Sequence, residues 1–141
     1  MLTINDYVLK IIGLREEYRK ILALFINTTP GILQIFALRP EIKGAWSRLD
    51  KECVWKYLYV PNPELINSSQ FKQLVSAFET FSRKESIPIQ DRFHSSDSTQ
   101  TAMDDAVFKA FNFEELPDKR QLVNKLLDAE LQNLLDVMSR K

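Results

Sequence analysis

Residues 43–59 alternate cations with aromatic rings: Lys43, Arg48, Lys51 and Lys56 are interleaved with Trp46, Trp55, Tyr57 and Tyr59. That mixture suits a nucleic-acid surface. Cations neutralise phosphates, which gives affinity without sequence information, while rings and guanidinium groups can meet bases. On this reading Lys43, Trp46, Arg48, Lys51 and Lys56 are the candidate DNA-binding residues. The same residues also suit a half-buried β segment whose lysine stems lie along apolar surface with their ammonium groups in water. Composition alone favours this second reading.

Other chemistry finds little support. His94 and Cys53 are the only histidine and cysteine, and no metal-ligand spacing surrounds either. His94 lies in a Ser/Asp-rich loop and is expected to be solvated. Cys53 reads as a small buried hydrophobe rather than half of a Cys–His nucleophilic pair. Three isolated glycines cannot build a phosphate loop. Asp104 and Asp105 resemble a carboxylate pair, but near a helix N-terminus two acids are simply favourable with the dipole. No catalytic, cofactor-binding or metal-ligating residue is expected.

The chain has 141 residues, 45% hydrophobic and 27% charged, which suits one globular domain with a sizeable core. Lys and Arg number 19, as do Asp and Glu. Neutrality removes a domain-wide basic field but leaves room for a local basic face. One cysteine excludes an internal disulfide. The first residues carry no cationic stretch followed by an apolar one, so the expectation is an intracellular, cytoplasmic protein.

The elements follow from pattern. Between Lys20 and Arg39 lie eighteen residues without a charge, ILALFINTTPGILQIFAL. Length alone would permit a membrane span. At the centre, Asn27-Thr28-Thr29-Pro30-Gly31 would free backbone groups that hydrocarbon cannot satisfy. In water the same residues start a helix, with Thr28 or Thr29 as cap and Pro30 at its first position. Two buried helices meeting at residues 27–31 are therefore expected, the first carrying a stripe of Tyr18, Ile21, Leu22 and Phe25. Residues 5–12 and the WKYLYV stretch read as short strands. Asn67 or Ser68 opens a helix with Phe71, Leu74, Val75, Phe78 and Phe81 on one face. Ser98 or Thr99 opens another, with Met103, Val107, Ala110 and Phe111, ending at Asn112 in a left-handed conformation. A long helix over residues 118–139 carries Val123, Leu127, Leu131, Leu134 and Met138, and offers a homodimer surface. The expected fold class is mainly α, a helical domain with at most a small β element. Residues 1–63 hold the two buried helices and the aromatic segment, and residues 64–141 a helical region, together one compact domain.

The order of these segments resembles the C-terminal part of bacterial N6-adenine DNA methyltransferases of restriction–modification systems. In that family a helix ends in an "LLNS"-like turn, and Leu22 to Thr28 stand in its place. A glycine-rich link then precedes a segment of the "L-x-x-L-P-V-P-x-P" kind, matched by Leu58-Tyr59-Val60-Pro61-Asn62-Pro63. MDDAVFKAFNF resembles the family's "LDDAVFELLGL"-like helix, which a long polar–apolar helix follows. The likeness runs from about residue 15 to 135. Gly44 stands where the family often has two or three glycines, and Asn112 where it has one.

The family's "F-x-G-x-G" cofactor turn and "N-P-P-Y" catalytic motif are absent from the chain. The resemblance therefore implies a non-catalytic DNA-recognition or DNA-positioning module, without a cofactor of its own, whose partners are DNA and a methyltransferase catalytic domain or subunit. The alternative is a helical protein–protein interaction or oligomerisation module, which the neutral charge favours.

Overall fold

The computed structural model describes residues 13–38, 51–84 and 98–112, and parts of 121–136. Five helices are defined: α1 Glu16–Ile26, α2 Thr29–Ala37, α3 Lys51–Tyr57, α4 Ser68–Phe81 and α5 Ser98–Ala110, with a 3₁₀ turn at Pro63–Leu65. The described residues between 121 and 136 are helical as well. The fold is mainly α, and no strand occurs among the described residues.

Three helices make the core. From α1 come Tyr18, Ile21, Leu22 and Leu24, from α4 Leu74, and from α5 Met103, Val107 and Ala110. Phe71, Val75, Phe78 and Phe81 of α4 and Phe111 pack around them half-buried. The core thus draws on both sides of residue 63, and α4 touches both α1 and α5. Each stripe follows the 3.6-residue period read from the sequence. Caps set the ends. Asn67 Oδ1 accepts from the Ser69 and Gln70 N–H groups, and Gln70 Oε1 accepts from the Asn67 N–H, a complete capping box. Asn112 ends α5 at φ 56°, where asparagine is better tolerated than most residues.

The uncharged stretch forms two helices with a 75° bend between them. No single helix is long and apolar enough to cross a membrane. Thr28 is the cap: its hydroxyl accepts from the Gly31 N–H at 3.4 Å and donates to the Phe25 carbonyl at 2.5 Å. Pro30 occupies the second helical position, where its missing N–H is again no loss. Burial is one-sided rather than complete. Glu16, Glu17, Arg19 and Ala23 are exposed on α1, and α2 buries only Thr29, Gly31 and Ile32. The uncharged stretch thus does not bury every face of either helix.

One further expectation changes. WKYLYV is not a strand: Trp55 to Tyr57 close α3, and the Leu58 N–H still bonds to the Val54 carbonyl at 3.1 Å. Strand preference reflects packing on a pleated sheet, and no neighbouring strand is present among the described residues. The other expected strand, residues 5–12, lies outside them.

One ion pair ties α1 to α4. Lys20 Nζ donates to Glu79 Oε1, and also lies 3.7 Å from Glu16 Oε1. The Glu79 hydrogen bond raises the Lys20 pKa above the ordinary lysine value, and the same bond holds the Glu79 carboxyl below the usual range. The Glu79 contribution is therefore present above the unfolded glutamate pKa and lost as pH falls through the folded one. The Lys20 contribution is present below the unfolded lysine pKa and lost as pH rises through the folded one. Both groups stay partly open to solvent, so the effect is small and salt-screened. A Glu79→Gln variant should melt slightly below the parent near neutral pH at low salt. Thermal melts should converge once the pH falls below the glutamate range. A gap that persists in acid would assign the difference to packing.

Candidate nucleic-acid interface

Sequence reasoning placed the interface in residues 43–59. Lys43, Trp46 and Arg48 lie outside the described residues. Lys51 and Lys56 both sit in α3, and Lys56 is exposed. Tyr57 and Tyr59 are exposed as well, at 56% and 79%. The described half of the segment is therefore a short helix running into an irregular stretch, with a cation and two rings open to solvent.

Two tertiary hydrogen bonds hold that stretch. The Tyr59 N–H donates to Gln34 Oε1 of α2 at 2.9 Å. The Tyr18 hydroxyl of α1 donates to the Pro61 carbonyl. Burial raises the Tyr18 pKa above the ordinary phenol value. Asn62 Oδ1 then accepts from the Glu64 N–H at 3.0 Å and turns the chain into Pro63–Leu65. Residues 59–61 are thus strapped across α1 and α2 by their backbone, leaving the Tyr59 ring outward.

A second cluster fixes the bend between those helices. Asp104 is not at the start of its own helix but in the second turn of α5, and it is 5% exposed. Its carboxylate accepts from the Thr29 backbone N–H at 2.8 Å and from the Thr29 hydroxyl. It therefore serves the N-terminus of α2, a different helix, as a charged cap. Gln100 Nε2 donates to Asp104 Oδ1 at 3.2 Å and to the Asn27 carbonyl at 3.1 Å. Asp104 thus meets a helix N-terminus, but that of α2 rather than that of its own helix.

Gly31 completes the arrangement. A Cβ there would lie 2.2 Å from the Phe25 carbonyl oxygen and 2.8 Å from Ile26 Cα. Only glycine lets α2 approach the last turn of α1 this closely.

Elsewhere, a shallow polar cleft of about 300 Å³ lies between the start of α4 and the end of α5, lined by Asn67, Ser69, Gln70, Gln73, Lys109 and Asn112. Among the described residues no three His, Cys, Asp or Glu side chains group to hold a metal ion. Cys53 belongs to α3, and His94 lies outside the described residues, as therefore does any Cys–His pair.

The contacts that sequence reasoning missed are those made across the fold by Tyr18, Gln34, Gln100 and Asp104. Their partners lie 43, 25, 73 and 75 residues away, and no local pattern encodes such pairs. No protein-family model matches the chain, and no curated protein or solved structure matches it either.

Proposed function

We propose that the chain is a non-catalytic DNA-recognition or DNA-positioning module of an adenine-N6 modification methyltransferase of the restriction–modification type. One observation carries this reading. The three stretches that resemble the family are far apart in sequence but are tied to one another through the α1–α2 pair. The turn at Asn27–Thr29 takes hydrogen bonds from the Gln100 side chain and gives them to Asp104 of the "DDAVF" stretch. The helices on either side of the turn grip Tyr59 and Pro61 of the "YLYVPNP" stretch. A co-packed set of this kind supports treating the three as one module. Lys43, Arg48, Lys51 and Lys56 would neutralise phosphates, with Trp46 close to a groove or base, and the module would methylate nothing alone.

A second reading is a helical interaction or oligomerisation module. Its supporting observation is the pair Leu122 and Leu126, four residues apart in a helical segment and 56% and 48% exposed. Such a pair suits a partner helix.

Charge reversal separates the two. A neutral module has little electrostatic drive, so duplex binding should be weak, with a dissociation constant of about 10⁻⁴ M or weaker. Lys51→Glu with Lys56→Glu should weaken it and lower the slope of log K against log salt by roughly one unit per lost phosphate contact. Lys119→Glu with Lys125→Glu should do less. Equal effects from both pairs, read by fluorescence anisotropy at several salt concentrations, would remove residues 43–59 from the interface and favour the second reading.

A further inference from the structure

Tyr59 is among the most exposed large side chains described, at 79%, yet its backbone is fixed on both sides. Exposure at a floppy terminus would mean little. Here the Gln34 and Tyr18 bonds hold the backbone that carries the ring, so ordering of that stretch is not deferred to binding. Tyr57 adds a second exposed ring two residues earlier, at the end of α3. Between Cys53 and Pro63 the only charged residue is Lys56, which is exposed. The nearest acids, Glu52 and Glu64, sit one at the start of α3 and one in the 3₁₀ turn.

We infer that Lys56, Tyr57 and Tyr59 form a stacking site for unpaired nucleotides, with the rings against base faces and the ammonium group on a phosphate. The inference rests on the DNA reading above and narrows it. In a duplex each base face is covered by its neighbours, so a projecting tyrosine finds no π-face to cover. A single strand or an unpaired nucleotide offers that face, and stacking is tolerant of sequence because every base has one.

The test uses the whole chain and a single-stranded oligodeoxynucleotide containing 2-aminopurine, whose fluorescence falls on stacking, beside the same sequence as a duplex. The parent should bind the single strand more tightly than the duplex and quench the probe. Tyr59→Ala should weaken single-strand binding roughly 5- to 100-fold and abolish most of the quench. Tyr59→Trp should keep both. Alanine retains the N–H that Gln34 accepts, and the lost ring is outside the core, so the melting temperature should hold. If Tyr59→Ala leaves single-strand affinity and quench unchanged while duplex binding still responds to lysine reversal, the stacking site is refuted and the DNA reading stands. If the parent binds neither nucleic acid, both fail together.

Discussion

Replacing Asp104 by alanine should destabilise the fold by about 3 kcal/mol, because it strands several buried groups at once. The Thr29 N–H and hydroxyl both lose their acceptor, and the Gln100 amide loses one of its two partners. Thr29 and Gln100 are 4% and 5% exposed, so water cannot readily replace the carboxylate. Each unsatisfied buried group costs roughly 1–3 kcal/mol, more when the lost partner was charged. Two groups orphaned together could cost more, and partial relaxation of the α2 N-terminus would return some of it. Asp105→Ala, at an exposed position next door, should stay within about 0.5 kcal/mol. Urea denaturation of both variants measures the contrast. Equal, small effects would mean that Asp104 does not fasten α2.

The second large effect belongs to Gly31. Helix propensity alone says that Gly31→Ala should stabilise by up to roughly 1 kcal/mol. The packing says otherwise, since the new methyl would fall 2.2 Å from a backbone oxygen. No side-chain rotation relieves a contact with main chain, so α2 must move off α1. Overpacking typically costs about 1–3 kcal/mol, and more where backbone shifts. The packing term therefore outweighs propensity, and the melting temperature should fall by about 5–10 °C. A variant as stable as the parent would show that the close approach of α1 and α2 is not needed.

Much of the fold was legible where the information is local. The α4 cap at Asn67, the apolar faces of α4 and α5, and the left-handed Asn112 each follow from residues within one or two turns. The break at residues 27–31 was legible for the same reason, since threonine, proline and glycine at those positions act on their own backbone. The aromatic segment misled because Trp55, Tyr57 and Tyr59 alternate as in a strand, whereas the first two lie in a helix and the third bonds to a glutamine side chain. Pattern reports what a segment could pair with, not whether a partner strand exists. The candidate site was legible in composition but not in construction. Nothing near Asp104 says that it caps a helix 75 residues earlier, and nothing near Tyr18 says that it holds Pro61.

The most direct test of the account is the location of DNA contact on the folded chain. Weak binding suits nuclear magnetic resonance, in which a ¹⁵N-labelled sample is titrated with DNA and amide shifts are followed residue by residue. Shifts should concentrate over residues 51–60, fade as salt is added, and be reduced by Lys51→Glu with Lys56→Glu. Shifts confined to residues 121–136, or none at millimolar DNA, would contradict it.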